Sequence, residues 1–177
     1  MCTIFWAGDS TVQTNDYTTY PQTGIGQVFS LFLKENCRVE NHAKNGRSTK
    51  SFIREGRLRD IEARIGQGDF LFIQFGHNDE KQEDPARYTE PFSTFIENLE
   101  RFIRAAREHG AHPVLITPLE RRRFDPAGIL EPSLHMDYVA GMKQAAERNQ
   151  VPLVDLFGMS RNELNRAGEQ ESRKWYM

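Results

Sequence analysis

Cysteine is nearly absent from this chain: Cys2 and Cys37 are the only two in 177 residues. Two cysteines make no disulfide framework. Both fall at the expected starts of the first two strands and could be neighbours if those strands pair. Two free buried thiols are the reading the sequence favours. No Cys/His cluster has zinc spacing, so no metal is predicted. No apolar run approaches the roughly 20 residues of a spanning helix, so no membrane partner is expected. Charge of one sign is missing as well. Charged residues make up 27% of the chain yet balance to -2, which removes the usual electrostatic grounds for nucleic acid or an anionic membrane surface as partner. Neither G-x-x-x-x-G-K-[ST] nor a strand-linked G-x-G-x-x-G occurs, so no phosphate-cradling cofactor site is expected. A basic-then-apolar leader is lacking too, which predicts a cytoplasmic protein.

The length suits one domain with a real core. Ile4 to Ala7 is an apolar run that stops at Gly8-Asp9-Ser10-Thr11, the pattern of a buried strand ending at a turn. Ser10 then stands where open α/β sheets place their ligand crevice and reads as a nucleophile. Capping of a following helix by Ser10 or Asp9 is the plainer alternative. Beyond a polar loop, Gln13 to Gln22, the residues Val28, Leu31 and Phe32 fit the inner face of a helix. Arg38 to Asn41 is a short strand whose weak hydrophobicity suits an edge. Gly46 follows in a polar turn, either as a left-handed turn residue or to let the backbone aim an N–H at a ligand. Ser48 or Thr49 is the expected N-cap of a helical stretch from Ser51 to Ile65, broken near Gly56.

Phe70 to Phe75 is the strongest strand and should be central. It ends, like the first, in glycine and polar residues: Gly76-His77-Asn78-Asp79. Asn78 can donate through its amide, or close a local Asx-turn. Tyr88 to Glu108 has helical periodicity, closed by Gly110. Pro113 to Thr117 and Val151 to Leu156 read as further strands, with helices from Pro132-Ser133 to Arg148 and from about Met159 into Glu171. Arg121-Arg122-Arg123 is read first as a solvated charged face and second as a contact for an anionic substrate. Five strands alternating with helices predict a parallel sheet covered on both faces, a flavodoxin-like three-layer α/β/α fold of strand order 2-1-3-4-5. The loops after strands one, two and three then meet at one edge and bring Ser10, Gly46 and Asn78 together.

Those three blocks, Gly8-Asp9-Ser10, Asn45-Gly46-Arg47-Ser48 and Gly76-His77-Asn78-Asp79, resemble the first three of the SGNH hydrolases, or GDSL esterase/lipase superfamily. The fuller stretches, with Glu55-Gly56-Arg57 and Gln74-Phe75 before the third block, look most like rhamnogalacturonan acetylesterases. The similarity spans essentially all 177 residues as a single domain. It implies Ser10 as nucleophile, with the Ser10 N–H, the Gly46 N–H and the Asn78 amide forming an oxyanion hole. Asp9 and His77 are expected to position their neighbours. The implied substrate is an acetylated carbohydrate, and Arg47, Arg54, Arg57 and Arg121 to Arg123 suit one carrying uronate carboxylates. The family's base is a histidine in a C-terminal Asp-x-x-His block, and no histidine follows Val151. The chain is therefore expected to stop short of that block and to lack its base. The alternatives are another esterase of the superfamily, such as a lysophospholipase or thioesterase, and an impaired glycan-binding remnant. A receiver domain would need a lysine where Asp155-Leu156-Phe157 stands. The sequence assigns no oligomeric state.

Overall fold

A computed structural model describes residues 2–176; Met1 and Met177, which open and close the sequence, lie outside them. Five strands, β1 (Cys2–Gly8), β2 (Cys37–Asn41), β3 (Phe70–Gln74), β4 (His112–Ile116) and β5 (Leu153–Val154), form one sheet. Their order is β2-β1-β3-β4-β5, as predicted, and every pairing is parallel.

Alternation along each strand sorts the core into two layers. Phe5, Ala7, Leu71, Ile73, Phe75 and Leu115 point to one face. There they meet Phe52 of α2 (Thr49–Arg54), Leu58 and Ile61 of α3 (Arg57–Glu62), and the apolar stripes of α4 (Thr94–Glu108) and α5 (Met136–Asn149). Ile4, Trp6, Phe70, Phe72, Val114 and Ile116 point the other way, toward α1 (Ile25–Val28) and the start of α6 (Leu156–Ser172). Trp6 is edge-on to both Phe29 and Phe72, at 5.4 and 5.1 Å between ring centroids. Central strands covered on both faces explain why β1 and β3 read as nearly unbroken apolar runs. No helix among the described residues is long and apolar enough to cross a membrane.

Four local expectations need correction. The helix expected around Val28 starts at Ile25 and tightens into a 3-10 turn at Phe29–Phe32. The change of pitch turns the packing face to Ile25, Phe29 and Leu33, leaving Leu31 and Phe32 79% and 80% exposed. The helix read from Tyr88 begins only at Thr94, because Pro91 disfavours helical geometry at the residue before it. β5 is cut to two residues. Pro152 has no N–H to give, and the Asp155 carboxylate caps Gly158 N at 3.1 Å, which starts α6 at once.

The fourth concerns the cysteines. They are not free thiols: Cys2 and Cys37 stand opposite each other in the β1–β2 register, Cα atoms 4.9 Å apart, and form a disulfide. A count of two argued against a framework, but direct registry across a parallel pair is enough to close one bond. Ellman titration of the unfolded, unreduced protein is expected to find no thiol. Cys37→Ser is expected to cost about 3–4 kcal/mol in denaturant unfolding, the chain-entropy value for a loop of this length, the two cysteines being 35 residues apart.

Candidate active site

β1 stops at Gly8 and the chain doubles back through Asp9. The Asp9 carbonyl accepts from Val12 N and Gln13 N at 3.2 and 3.0 Å. Its carboxylate Oδ1 accepts from Thr11 N and Thr11 Oγ1 at 2.9 and 2.8 Å. This is the Asx geometry that lets an aspartate close a tight turn. No helix follows for Ser10 to cap; the serine sits partly exposed on the turn.

The second loop runs alongside. His42 N donates to Trp6 O and Lys44 N to Gly8 O, at 2.9 and 3.1 Å, carrying the β1–β2 contact past the end of the sheet. Gly46 has φ 77°, and an added Cβ would meet only Arg87 Nη1, at 3.7 Å. The glycine answers a conformational need, not a lack of space. Ser48 then caps α2 in a reciprocal box with Ser51, as one of the two expected caps.

The third loop begins at Gly76, where φ is 140° and a Cβ would lie 2.9 Å from Pro118 Cγ. Asn78 is buried. Its Nδ2 donates to Arg47 O at 3.1 Å, and its Oδ1 accepts from Arg87 Nη1 at 3.4 Å. A carboxamide nitrogen carries two hydrogens, so one bond to the Gly46–Arg47 turn fixes where the other points. Asn45 N donates to Gln13 Oε1, and Gln74 Nε2 donates to Thr11 Oγ1 at 3.1 Å. The three loops are thus stitched together pairwise. Among the described residues, neither the Ser10 N–H nor the Gly46 N–H meets an acceptor.

Two buried polar clusters behind these loops were not legible in the sequence. In the first, Asp79 accepts from Thr49 N at 3.1 Å, Thr49 Oγ1 at 2.5 Å and Thr89 Oγ1 at 3.0 Å. It ties the start of α2 to the loop that carries Asn78. Burial pushes its carboxyl up to about 7, against the pull of those threonine donors. Folding therefore favours protonated Asp79, and this group's contribution falls as pH rises from the ordinary aspartate range to about 7. In Asp79→Asn that dependence is expected to vanish. The stability difference between variant and wild type should shift toward the variant by up to about 1.4 kcal/mol per pH unit across that window, measured by urea unfolding at each pH.

In the second cluster, His135 is wholly buried at the start of α5. Its Nδ1 donates to Glu80 Oε2 at 2.6 Å, and its Nε2 accepts from Arg121 Nε at 3.2 Å. The two partners define the neutral tautomer, and burial holds the ring below the usual histidine range. His135 stacks edge-on against His77, centroids 4.3 Å apart. His77 Nδ1 in turn faces Asp9 Oδ2 at 3.5 Å. Burial alone would raise the Asp9 carboxyl, but His77 and the Thr11 donors outweigh it and hold it low. The sequence offers Asp9 and His77 as positioning residues without naming their partners; the structure sets them facing each other, outside hydrogen-bond geometry. His135 had no neighbour in sequence to announce it; Glu80 lies 55 residues away.

The arginines need a further correction. Arg121 is bound to Glu80 at 2.7 Å, Arg122 donates to Ser172 Oγ, and Arg123 pairs with Glu131 at 3.0 Å. Arg47 and Arg57 both reach Glu55. The Arg121–Arg123 run is neither a bare solvated face nor a set of free cations; it ties its own loop to Glu80, to Glu131 and to the end of α6. Of the arginines offered for an anionic substrate, Arg54 alone has no carboxylate partner among the described residues. It lines a hollow of about 240 Å³ together with Gly46, Arg47, Asp84 and Arg87. Among the described residues, no group of three or more His, Cys, Asp or Glu side chains is placed to hold a metal ion.

A five-stranded parallel sheet of order β2-β1-β3-β4-β5, with three polar loops gathered at its carboxyl edge, defines a flavodoxin-like α/β fold. The pattern of the GDSL-like Lipase/Acylhydrolase family matches residues 4–174, and the chain belongs to that family. It is 45% identical over 174 residues to the rhamnogalacturonan acetylesterase RhgT of Bacillus subtilis, a match that covers 98% of this chain and 73% of that protein. The X-ray structure of protein YXIM from Bacillus subtilis superposes with a TM-score of 0.87 at 29% identity, over 99% of this chain. This chain spans about half, 49%, of that solved chain. The acetylxylan esterase Axe2 of Geobacillus stearothermophilus shares the fold, with a TM-score of 0.68 at 15% identity over 92% of this chain and 80% of that one. Axe2 has also been solved as catalytic mutants at a serine, a histidine and an aspartate.

Proposed function

We infer that the protein is a serine ester hydrolase that removes acetyl groups from carbohydrate, with acetylated rhamnogalacturonan as its substrate and residues 1–177 acting as one domain. Ser10 Oγ attacks the acetyl carbonyl carbon and passes its proton to solvent water, the source from which the departing sugar oxygen later takes one. The carbonyl oxygen becomes an oxyanion held by the Ser10 N–H, the Gly46 N–H and the free hydrogen of the Asn78 amide. Collapse breaks the bond to the sugar oxygen, which takes a proton and leaves as the alcohol. Water then attacks acetyl-Ser10 and releases acetate. The observation that carries this reading is the pairing of two N–H groups without acceptors with an amide anchored on Arg47 O. Fixed donors aimed at developing charge do more than any other single device to lower the barrier of such reactions.

The histidine that the family resemblance would supply as base has no counterpart among residues 152–177. Turnover by this chain is thus expected to be that of an oxyanion hole and nucleophile without it, a residual about 10³–10⁴-fold above water in dissected triads. A nitrophenyl ester series from acetate to long acyl chains tests the reading, run beside acetylated oligosaccharides with and without uronate. Preference for acetate and for uronate-bearing sugar supports it. Preference for long acyl chains would instead favour a lysophospholipase or thioesterase. Binding without any turnover or Ser10 labelling would favour a glycan-binding remnant. The cytoplasmic expectation rests on the sequence alone, and the Cys2–Cys37 bond weighs against it, since structural disulfides persist mainly in oxidising compartments.

A further inference from the structure

A larger cleft, about 690 Å³, lies away from Ser10, between α2–α3 and α4. Its walls carry Lys50, Arg54, Arg59, Arg101 and Arg104, against two acids, Glu62 and Glu108. All five cations are exposed. Nearby arginines are spent on partners: Arg47 and Arg57 on Glu55, Arg87 on Asp84. Among the described residues, Arg54, Arg59, Arg101 and Arg104 have no carboxylate within ion-pair distance. Lys50 Nζ donates only to the Pro85 carbonyl, at 2.8 Å. A domain of net charge -2 has thus gathered unpaired positive charge into one concavity.

The cleft is also directional. Lys50 in the first turn of α2 and Asn98 in the second turn of α4 stand at the end nearer the carboxyl edge of the sheet, while Glu62 and Glu108 close the other end. Arg54 belongs both to this cleft and to the hollow that holds Gly46. The cleft and the hollow at Gly46 are thus neighbours that share Arg54 as a wall. Ile53, Leu58 and Ala105 contribute an apolar part of the lining.

We propose that this cleft is a second binding site, distinct from the site at Ser10, that holds a uronate-bearing segment of an acidic polysaccharide while another segment of the same chain lies at Ser10. Guanidinium groups match sugar carboxylates in bidentate geometry. The apolar patches suit the carbon face of a pyranose ring. Arg54, which lines both the cleft and the hollow at Gly46, puts the cleft within reach of a polymer that also occupies that hollow. The domain's net charge of -2 favours a sparsely charged glycan over a densely charged nucleic acid. The choice of polysaccharide rests on the esterase reading above; the existence of an anion-binding cleft does not.

The test is equilibrium binding of the full chain to three probes: a de-esterified oligogalacturonate, its fully methyl-esterified neutral counterpart, and a single-stranded oligonucleotide. Wild type is expected to bind the acidic sugar, with affinity falling as salt rises, and to ignore the neutral one. The double variant Arg101→Glu/Arg104→Glu should weaken binding at least about tenfold, equivalent to 1.4 kcal/mol, while Arg101→Lys/Arg104→Lys keeps most of it. Both pairs are exposed, and thermal melts confirm that the fold is retained. Absence of binding, equal binding of the neutral sugar, or unchanged affinity in the Glu variant would overturn the proposal; tighter binding of the oligonucleotide would overturn its ligand. Fluorophosphonate labelling of Ser10 in the same samples separates the two readings. Labelled protein that does not bind the sugar removes the cleft and keeps the esterase. Bound sugar with Ser10 unlabelled and no acetate released from acetyl esters keeps the cleft and removes the esterase.

Discussion

Ser10→Ala is expected to abolish fluorophosphonate labelling completely, while acetyl-ester hydrolysis, already held to the residual expected without the family's histidine, falls little further because nucleophile and base act as a unit. The reagent bonds to a serine oxygen that is both accessible and faced by donors for its phosphoryl oxygen. Other serines lack that setting. Ser48 and Ser51 are buried and bonded to each other in the cap of α2, and Ser160 and Ser172 donate back to carbonyls of their own helix. The substitution should leave stability nearly unchanged, within about 0.5 kcal/mol, as for a partly exposed side chain with no internal bond. Intact-mass spectrometry of both proteins after labelling is the check. Adduct formation by the alanine variant would remove Ser10 from the mechanism.

Asn78→Ala is expected to slow acetyl transfer to Ser10 about 10²–10³-fold, the usual cost of one oxyanion donor. The loss should fall on kcat, because the donor meets negative charge that exists only after attack. Asn78→Asp should be worse: it keeps the shape, removes both amide hydrogens and sets a carboxylate against the developing charge. Some loss of loop order accompanies either change, since the same amide holds Arg47 O. Comparing single-turnover acetylation with thermal stability separates the two effects. A variant that melts normally yet acetylates at the wild-type rate would show that Asn78 is no donor.

The layout of the domain was open to reading because its evidence is local. Apolar runs such as Phe70–Phe75 mark buried strands, and the period of α4 marks its inner face. Right-handed crossovers then leave one sensible strand order. Gly46 and Asn78 could be nominated for the same reason, each in a polar loop just past a strand. The misses are matters of distance along the chain. Asp79 meets Thr49 across 30 residues and His135 meets Glu80 across 55; nothing in either residue's neighbourhood names its partner. The disulfide depends on strand register, which composition does not encode. The arginines misled for the opposite cause: three in a row look available, and only the folded chain reveals that each already has an occupation.

The covalent link at Cys2 and Cys37 sits at the start of the edge strand, at the far end from Gly46. An edge strand has one neighbour and would ordinarily peel from either end. Here the beginning is riveted, so unzipping can start only at the other end, where Lys44 and His42 still hold Gly8 and Trp6, and travel backward. Whatever looseness the margin of the sheet possesses is thereby delivered to the end that carries Gly46, and rigidity is stored at the opposite end.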